Sequence, residues 1–407
     1  MVTTSTTTGG AVTAPSRTAA WLQRVFKDFP SPCEIVTAGG EVMRFGEGEP
    51  KFRIVLHEHR ILARGLDEFA LAKAFVEGAF DIEGDMMAFF DVRHQLRQRT
   101  GLLPWMRLWG QLLFLAPTRV NRRAIQHHYE FGDDFFLRFI DTDYHLYSHG
   151  FFASDDEPLE KASERKLETM FDWAQLKPGM RVLDIGAGWG GVTRYCGPRD
   201  VRVTSITLAQ DSHDHISRLL AETGYPGEVL LADFLEHEPE EPYDAIVILG
   251  VIEHIPYYRK FFRKAWDLIK PGGMIYMDAS ADLEKYGVSR FIRHYIYPGT
   301  HSYMCLQDVL QEMLFHGFMP RRVVQDNHDY MLTMRHWAER FEEHREVISA
   351  KWGDAVYRAF WLYLWSGAYA FGHNVLQAYH LLAERTEEPG PRPGFAKRAV
   401  HFARSLT

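Results

Sequence analysis

A glycine-rich turn gives the strongest chemical signal in this chain of 407 residues. Residues 182–191 read Val-Leu-Asp-Ile-Gly-Ala-Gly-Trp-Gly-Gly, with glycine at three alternate positions, Gly186, Gly188 and Gly190. Because glycine has no Cβ, such a turn can come within contact distance of a bulky ligand. Asp184 and the backbone N–H groups of the turn would then face a polar ligand at the carboxyl end of a strand.

The acid before the turn narrows the choice of ligand. A G-x-G-x-G turn also occurs in nicotinamide and flavin sites, so the glycines alone do not decide. A pyrophosphate site would disfavour a carboxylate one turn before it. Asp184 therefore favours S-adenosylmethionine over a dinucleotide.

Alternating strands and helices are predicted around this turn. Five strands are expected at 182–185, 201–206, 229–232, 245–249 and 273–277. Amphipathic helical stretches separate them, and the Lys-Pro-Gly-Gly sequence from Lys270 is expected to close the last helix. Strands about 20 residues apart with helical connections predict an α/β fold with a doubly wound, mostly parallel sheet. Its ligand should lie at the carboxyl ends of the strands.

Composition excludes several classes of protein. A net charge of −8, without an Arg/Lys stripe interleaved with aromatic residues, argues against nucleic-acid binding. Cys33, Cys196 and Cys305 lie far apart, and the histidines lack H-E-x-x-H spacing, so neither a disulfide framework nor a metal site is expected. A reducing cytoplasm fits best.

The chain divides into five predicted segments. They are a disordered tail (1–20), a small N-terminal α+β domain (21–100), an amphipathic linker (101–126), the main domain (127–388) and a basic tail (389–407). The α+β domain is expected to hold an antiparallel meander over 33–66 and a helix that begins at Asp67. The linker combines Leu and Trp with arginines, which fits an interfacial segment or a helix between domains. The basic tail would contact anionic headgroups or remain in solvent.

One stretch is long enough to cross a bilayer. Residues 359–383 contain no Asp, Glu, Lys or Arg for about 25 residues. His373, Asn374, Gln377 and His380 would be costly in hydrocarbon without partners. We therefore expect a buried helix that lines an apolar pocket.

Motifs on both sides of the glycine-rich turn point to one family. They are His128-Tyr129-Glu130-Phe131-Gly132-Asp133-Asp134, Tyr147-Ser148-His149-Gly150-Phe151-Phe152, Ile252-Glu253-His254-Ile255, Phe291-Ile292-Arg293-His294-Tyr295 and Asp329-Tyr330. In this order they resemble the cyclopropane-fatty-acyl-phospholipid synthases and the mycolic acid cyclopropane synthases, which are class I S-adenosylmethionine-dependent methyltransferases. The resemblance covers about residues 126–383, and the N-terminal domain resembles the extra domain of full-length bacterial synthases.

The resemblance implies a set of cofactor contacts. Tyr147 and Ser148 match the pair that holds the methionine end, and Asp184 lies beneath the loop of Gly186, Gly188 and Gly190. The segment from Thr207 to Ser212 matches the ribose contact, and Asp233 with Phe234 matches the adenine contact. Ser212 stands where the family usually has Gln, so we expect this contact to be rearranged.

The substrate class implied by the resemblance sets the chemistry. An isolated alkene is a poor nucleophile, and its attack on a sulfonium methyl leaves a carbocation. The enzyme must exclude water, hold the cation near π faces or carboxylates, and remove one proton. Loss of the proton from the new methyl closes a cyclopropane, whereas loss from a neighbouring chain carbon gives a methyl- or methylene-branched chain.

The identity of the base stays open at this point. Family synthases use bicarbonate held by a Cys, a Glu, a His and a Tyr; Glu253 and Tyr330 match, but His149 stands at the Cys and Asp278 at the His. In one account these two residues reshape the pocket and bicarbonate still binds. In the other, His149 is oriented by Asp278 or Glu253 and takes the proton itself, since imidazole titrates near neutral pH. Glu253, Tyr330, His149 and Asp278 are thus the predicted catalytic residues.

The resemblance implies a cytoplasmic enzyme, peripheral on the inner face of the membrane and compatible with a homodimer. It would add one carbon to the double bond of an unsaturated phospholipid acyl chain. A small-molecule amine methyltransferase is an alternative, because some plant alkaloid N-methyltransferases share the C-terminal pattern. The N-terminal domain and the Trp/Arg-rich linker argue against it. Intact cofactor motifs argue against a third candidate, a non-catalytic lipid-binding relative.

Overall fold

The computed structural model describes residues 22–23, 26, 31–58, 68–91, 131–297, 301–389 and 397. The predicted N-terminal tail, the linker and nearly all of the basic tail lie outside these residues, as does Asp67. The described residues form two compact units. The small-sheet unit contains the residues up to 91 together with 289–297 and 334–370. The large-sheet unit contains the remainder, so the predicted main domain is not one unbroken unit of the chain.

The small-sheet unit begins with a four-stranded sheet. Its first elements are β1 (Cys33–Val36), β2 (Val42–Phe45), β3 (Phe52–Leu56), α1 (Glu68–Val76) and β4 (Phe80–Gly84), in strand order β2-β1-β3-β4. The predicted antiparallel meander is wrong in one pairing, because β1 and β3 are parallel. After β2 the chain therefore crosses β1 to reach β3. Gly46, at the start of this crossing, has φ 79° and packs against Pro32, which leaves no room for a Cβ.

The large-sheet unit contains a seven-stranded sheet. Up to the sixth of its strands the elements are α2 (Asp133–Phe136), α3 (Leu159–Trp173), β5 (Arg181–Ile185), α4 (Gly191–Cys196), β6 (Arg202–Thr207), α5 (Gln210–Thr223), β7 (Gly227–Leu231), β8 (Tyr243–Leu249), α6 (Tyr258–Leu268), β9 (Ile269–Ala281), α7 (Leu306–Phe315) and β10 (Phe318–Gln325). The last elements of the chain are α8 (Asn327–Glu343), α9 (Arg345–Trp352), α10 (Asp354–Gly372) and β11 (Gln377–Arg385), and residues 334–370 of these belong to the small-sheet unit.

The strand order β10-β11-β9-β8-β5-β6-β7 confirms the predicted α/β fold with a mostly parallel sheet. Strands β5 to β9 are parallel, whereas β11 is antiparallel to both of its neighbours. Alternate residues of β5 enter different cores, since Leu183 packs with Phe261 on one face and Val182 packs with Met170 on the other. Burial on both faces is typical of a doubly wound sheet.

Two predicted features at the end of the sheet are wrong. The Lys-Pro-Gly-Gly sequence belongs to β9 itself, which starts at Ile269 directly after α6. The uncharged stretch 359–383 is not one helix, because α10 ends at Gly372 and β11 begins at Gln377 after a reversal in which Asn374 has φ 54°. Within the described part of the chain, no helix is long and apolar enough to span a bilayer.

Arg358 on α10 connects three parts of the small-sheet unit. Its guanidinium donates to the backbone oxygens of Phe75 and Phe80 at 3.1 and 3.2 Å and to the carboxylate of Asp81. Its Nε donates to Asp354 at 2.8 Å, and the side chain is almost fully buried. Arg358 therefore joins α10 to the end of α1 and to β4.

We predict that Arg358→Met lowers the free energy of unfolding by about 2–4 kcal/mol, because buried oxygens lose their donors. Urea unfolding followed by circular dichroism measures this loss. The matched control is Lys73→Met, which breaks an exposed pair with Glu77 at 3.6 Å and should cost less than about 0.5 kcal/mol. Equal losses in both variants would contradict the role given to Arg358.

Candidate active site

A cavity of about 440 Å³ lies at the carboxyl ends of β5, β6 and β7. Six of the predicted cofactor residues line it: Gly186, Gly188, Thr207, Ser212, Asp233 and Phe234. This is the position that a doubly wound sheet favours for a ligand. The cavity thus lies where the cofactor site is predicted, and binding there stays a prediction.

A different physical constraint favours glycine at each of the three positions of the turn. At Gly188, which lines the cavity and has φ 53°, no protein atom lies within 4 Å of a built Cβ. A side chain there would project into free space that a ligand can use. A Cβ at Gly186 would overlap Val251, and Gly190 is the left-handed N-cap of α4, packed on Ile216. Of the three glycines, Gly188 alone has open space around a built Cβ, and close approach of a ligand there stays a prediction.

Backbone contacts fix the turn against the neighbouring strand. The N–H groups of Gly186 and Ala187 both donate to the oxygen of Ile206, at 2.8 and 3.1 Å. These two donors were expected to face the ligand, and they are used by the protein instead. The Ser212 hydroxyl donates to the oxygen of Gly188, so the predicted rearrangement at Ser212 ties α5 to the turn.

The charge of the cavity lining suits a cationic ligand. Four carboxylate side chains and one lysine contribute to it: Asp133, Asp211, Asp233, Glu236 and Lys260. Burial raises the pKa of Asp133, but hydrogen bonds with His215 and Trp189 outweigh it and hold the pKa below its ordinary value. Burial lowers the pKa of His254, which also lines the cavity, to about 4, so this imidazole adds no positive charge at neutral pH. A ligand with a sulfonium and an ammonium group fits these surroundings.

Tyr147 and Ser148 lie beside the carboxyl end of β8. A built Cβ at Gly250 would be 3.3 Å from the Ser148 Cβ, and the Tyr147 ring packs against Trp189 with centroids 6.4 Å apart. Both residues are thus next to the cavity, although neither lines it.

A buried lysine joins Ser148 to Asp278. Lys166 on α3 donates to the Ser148 hydroxyl at 2.6 Å and pairs with Asp278 Oδ2 at 2.5 Å. The side chains of Lys166 and Asp278 are both fully buried. Asp278 therefore has a cation as its partner and does not orient His149, contrary to one of the two predicted arrangements.

Glu253 follows β8 in a short 3-10 helix, Ile252–His254. Its Oε1 accepts from the backbone N–H and the hydroxyl of Ser280, each at 2.8 Å. Its Oε2 is buried without a hydrogen-bond partner among the described residues. Burial, with a smaller contribution from Asp278, raises the pKa of Glu253 to about 7. Glu253 does not contact His149 through a hydrogen bond, so the second predicted orienting residue is also wrong.

The residue that orients His149 is Asp326, between β10 and α8. His149 Nε2 lies 3.1 Å from Asp326 Oδ2, and His380 Nδ1 lies 2.8 and 2.7 Å from the two oxygens of the same carboxylate. The His149 ring stacks on Tyr330, with centroids 4.8 Å apart, and Tyr330 stacks on Phe371 at 4.1 Å. His149 and Tyr330, two of the predicted catalytic residues, are therefore in direct contact.

Sequence reasoning missed several residues of the site. Asp326 directly follows β10 and His380 lies in β11, two antiparallel strands that were not predicted. Lys166 sits in a helix sequence where a lysine normally faces solvent. Asp211 could have been found from the sequence, because it directly precedes Ser212, the residue that departs from the family pattern. Asp184 is 2% exposed and does not line the cavity.

Comparison with known proteins decides the family. The family model described as mycolic acid cyclopropane synthetase matches residues 117–381. The cyclopropane-fatty-acyl-phospholipid synthase of Escherichia coli strain K12 is 30% identical over 296 residues, which cover 70% of this chain and 74% of the relative. The chain belongs to the mycolic acid cyclopropane synthetase family.

Solved structures agree with this membership. The cyclopropane synthase MmaA2 from Mycobacterium tuberculosis matches with a TM-score of 0.61 and 28% identity, over 65% of this chain and 98% of that one. The mycolic acid cyclopropane synthase CmaA1, complexed with SAH and CTAB, matches with a TM-score of 0.61 and 26% identity, over 66% and 99%. The predicted class of enzyme, an S-adenosylmethionine-dependent methyltransferase, is confirmed.

The residues present do not reproduce the bicarbonate cage expected of this family. Glu253 and Tyr330 match that cage in sequence alone, but Asp278 brings a negative charge to the position of the usual His. That charge is matched by Lys166. His149, at the usual Cys, is engaged through Nε2 by Asp326. No step is therefore assigned to bicarbonate.

We predict that Gly188→Val abolishes S-adenosylmethionine binding by filling the cavity, measured by calorimetry. Gly224→Val is the matched control, because Gly224 also has positive φ (67°) and open space around its Cβ, but does not line the cavity. Both variants should lose about 1 kcal/mol of stability from backbone strain. Near-normal affinity in Gly188→Val would remove the assigned cofactor loop.

A second prediction concerns Asp184, whose pKa is raised by burial from 3.8 to about 7. Between about pH 4 and 7 the unfolded carboxyl is ionised and the folded one is protonated, so stability falls as pH rises and levels off above 7. In Asp184→Asn the decrease of the unfolding free energy over this pH range should be smaller by up to about 4 kcal/mol. The free energy of unfolding, measured by urea without cofactor at several pH values, tests it. Exposed Asp172→Asn is the control, and curves for Asp184→Asn parallel to the wild type would refute the assignment.

Proposed function

We propose that this protein transfers one carbon from S-adenosylmethionine to the double bond of an unsaturated acyl chain, carried by a phospholipid. The product is a cyclopropane or a methyl- or methylene-branched chain. The observation that supports this most is the buried Glu253 between Val251 and His254, which line the cofactor cavity, together with a fully buried His149 that stacks on Tyr330. The Escherichia coli relative, a cyclopropane-fatty-acyl-phospholipid synthase, agrees with it.

Cofactor binding divides among residues of the cavity and its edge. We assign the adenine to Asp233 and Phe234, the methionine end to Tyr147 and Ser148, and the close approach of the backbone to Gly188. Asp211 lines the cavity beside Ser212, and its carboxylate oxygens can accept from ribose hydroxyls. When bound, S-adenosylmethionine supplies an electrophilic methyl group.

Carbon transfer to an alkene demands a dry site that tolerates positive charge. His149 is fully buried and Glu253 is 3% exposed, so water has little access to either. The stacked rings of Tyr330 and Phe371 offer π faces to a cationic carbon. Glu253 Oε2 has no hydrogen-bond partner among the described residues. A pKa of about 7 lets this carboxyl ionise as positive charge develops nearby.

Access to a phospholipid chain implies docking to a membrane surface. Each buried CH₂ is worth about 0.8 kcal/mol, so a long acyl chain will not leave a bilayer for free solution. The sequence composition of the linker, with Trp, Leu and Arg, supports peripheral binding. We therefore infer activity at the inner face of the membrane, strongest on anionic lipid.

We predict that purified protein with S-adenosylmethionine adds one CH₂ to oleoyl chains in liposomes, detected by lipid mass spectrometry. Fully saturated liposomes are the substrate control. Activity should rise with anionic lipid and fall with added salt, because exposed charges are screened within about 10 Å at 0.1 M salt. Glu253→Gln should bind the cofactor normally and form at least about 100-fold less product, because a neutral amide cannot balance a cation.

The alternative activity gives a different result in the same experiment. Turnover of a water-soluble amine, with no change in lipid mass, would replace the proposal by small-molecule methylation. Cofactor binding with neither product would leave a lipid-binding relative. Loss of cofactor binding in Glu253→Gln would show that this residue serves the cofactor cavity and not the acyl chain.

A further inference from the structure

One carboxylate in the large-sheet unit lies between two buried imidazoles. Asp326 contacts His149 through Nε2 and His380 through Nδ1, at distances of 2.7 to 3.1 Å. All three residues are at most 5% exposed. Asp326 follows β10 directly, and His380 lies in the middle of β11, so strand pairing holds this contact in place.

The protonation state of the carboxylate determines that of both rings. Burial raises the pKa of Asp326, but hydrogen bonds with His149 and His380 outweigh it and keep the pKa below its ordinary value. An ionised carboxylate can only accept hydrogen bonds, so each ring must donate from the nitrogen that faces it. A neutral His149 therefore has its proton on Nε2, and its Nδ1 retains a lone pair.

The other nitrogen of His149 is an unused acceptor. His149 Nδ1 is buried and has no hydrogen-bond partner among the described residues. A buried polar atom in this state costs about 1–3 kcal/mol, which a protein normally avoids. Stacking on Tyr330 and contact with Asp326 fix the ring, so it cannot turn to relieve that cost. A basic atom is thus held in place with nothing from the protein to bind.

We propose that Asp326 and His380 are positioning residues that keep His149 in the tautomer whose Nδ1 removes the proton in the reaction. This inference rests on the proposed function. For the ring, a C–H bond of the transferred methyl breaks and its electron pair forms the C–C bond to the cationic carbon. For a branch, a C–H bond of the chain carbon next to the cationic carbon breaks and its electron pair forms a C=C bond. The proton goes to Nδ1, and the resulting imidazolium stays paired with the Asp326 carboxylate. No external base is needed.

Few other charged groups in the described structure face His149. Asp329, one turn along α8 from Asp326, accepts from the backbone N–H of Phe152 at 2.8 Å. Burial raises its pKa, while the hydrogen bond from Phe152 lowers it in part. Lys166 and Asp278 form their own pair behind Ser148. Tyr330 contacts the ring by its face, so Asp326 is the group that sets which nitrogen holds the proton.

The tautomer can be read without substrate, by ¹⁵N NMR of protein labelled at histidine. The signals of His149 are assigned by their loss in His149→Gln. At pH 7.5 we expect a protonated Nε2 and an unprotonated Nδ1 for this residue. A proton on Nδ1 at that pH, alone or together with one on Nε2, would overturn the proposal whatever the substrate is.

Kinetics on oleoyl liposomes test the positioning roles. Asp326→Asn can donate to Nε2 and so favour the opposite tautomer; we expect kcat to fall about 10²–10⁴-fold. Cofactor affinity should be unchanged. In Asp326→Asn the ¹⁵N signals of His149 should report the proton on Nδ1.

Two further variants are matched to this one. Asp329→Asn removes a neighbouring carboxylate that accepts from the backbone of Phe152, and should keep kcat within a fewfold. His380→Gln keeps a donor toward Asp326 and should lose less than Asp326→Asn. If Asp326→Asn and Asp329→Asn have equal kcat and the same His149 tautomer, Asp326 has no positioning role.

Bicarbonate provides the opposing outcome. Strong stimulation of the wild type by added bicarbonate, with an active His149→Cys, would assign the proton to the bound anion and overturn the proposal. Indifference to bicarbonate, with His149→Cys inactive but still binding S-adenosylmethionine, supports it. Absence of any lipid product with all variants would instead refute the proposed function, and the NMR result would stand apart from that failure.

Discussion

The pairing of β9 with two different neighbours positions the groups that the chemistry needs. Parallel pairing with β8 sets Asp278 opposite Leu249, at the end of the strand that leads to Glu253. Antiparallel pairing with β11 sets the same Asp278 opposite His380. Because side chains alternate along a strand, a shift by one residue would turn each of these groups to the other face. The register of a hydrophobic sheet thus decides the chemistry at its edge.

Burial of several ionisable groups in one region requires that their charges be balanced. Asp278 pairs with Lys166, and Asp326 is stabilised by hydrogen bonds with two imidazoles. Glu253 accepts from the neutral Ser280, and burial raises its pKa to about 7. Removing one member of a buried pair leaves an uncompensated charge, which costs about 3–5 kcal/mol. The cluster is therefore a structural constraint as well as a reactive site, and Glu253 is the carboxyl in it most ready to respond to positive charge.

What the sequence could predict follows from how local each feature is. The glycine-rich turn, the strands that surround it and the cofactor residues at their carboxyl ends are coded within short segments. The hydrophobic pattern around Asp184 and the backbone requirement at Gly188 need no knowledge of the rest of the chain. The antiparallel β10 and β11 have no such local signal, since the sequence of β11 continues an uncharged run that began in a helix. His380 in that run was noticed as a costly polar group, but its partner was not.

The partners of His149 and Asp278 could not be predicted for the same reason. The contact between His149 and Asp326 joins residues 177 positions apart. Lys166 pairs with Asp278 from α3, which precedes the glycine-rich turn in the chain, whereas Asp278 follows it. Sequence reasoning offered Asp278 and Glu253 as orienting groups because both lie in recognisable motifs. The structure shows that motif membership does not imply contact, since each of these carboxylates is already committed to a closer donor, Lys166 or Ser280.

A base that belongs to the protein differs physically from one that must bind. A bound anion can exchange and adjust, whereas the His149 ring is fixed by Asp326 at its edge and Tyr330 at its face. The position of the proton acceptor relative to the acyl chain is then set by the packing of β10, β11 and α8. Since the carbon that loses the proton decides between a ring and a branch, the choice of product would pass from an exchangeable ligand to the fold itself. Tyr330, which stacks on the imidazole, and Phe371, which stacks on Tyr330, are the side chains whose packing would determine that choice.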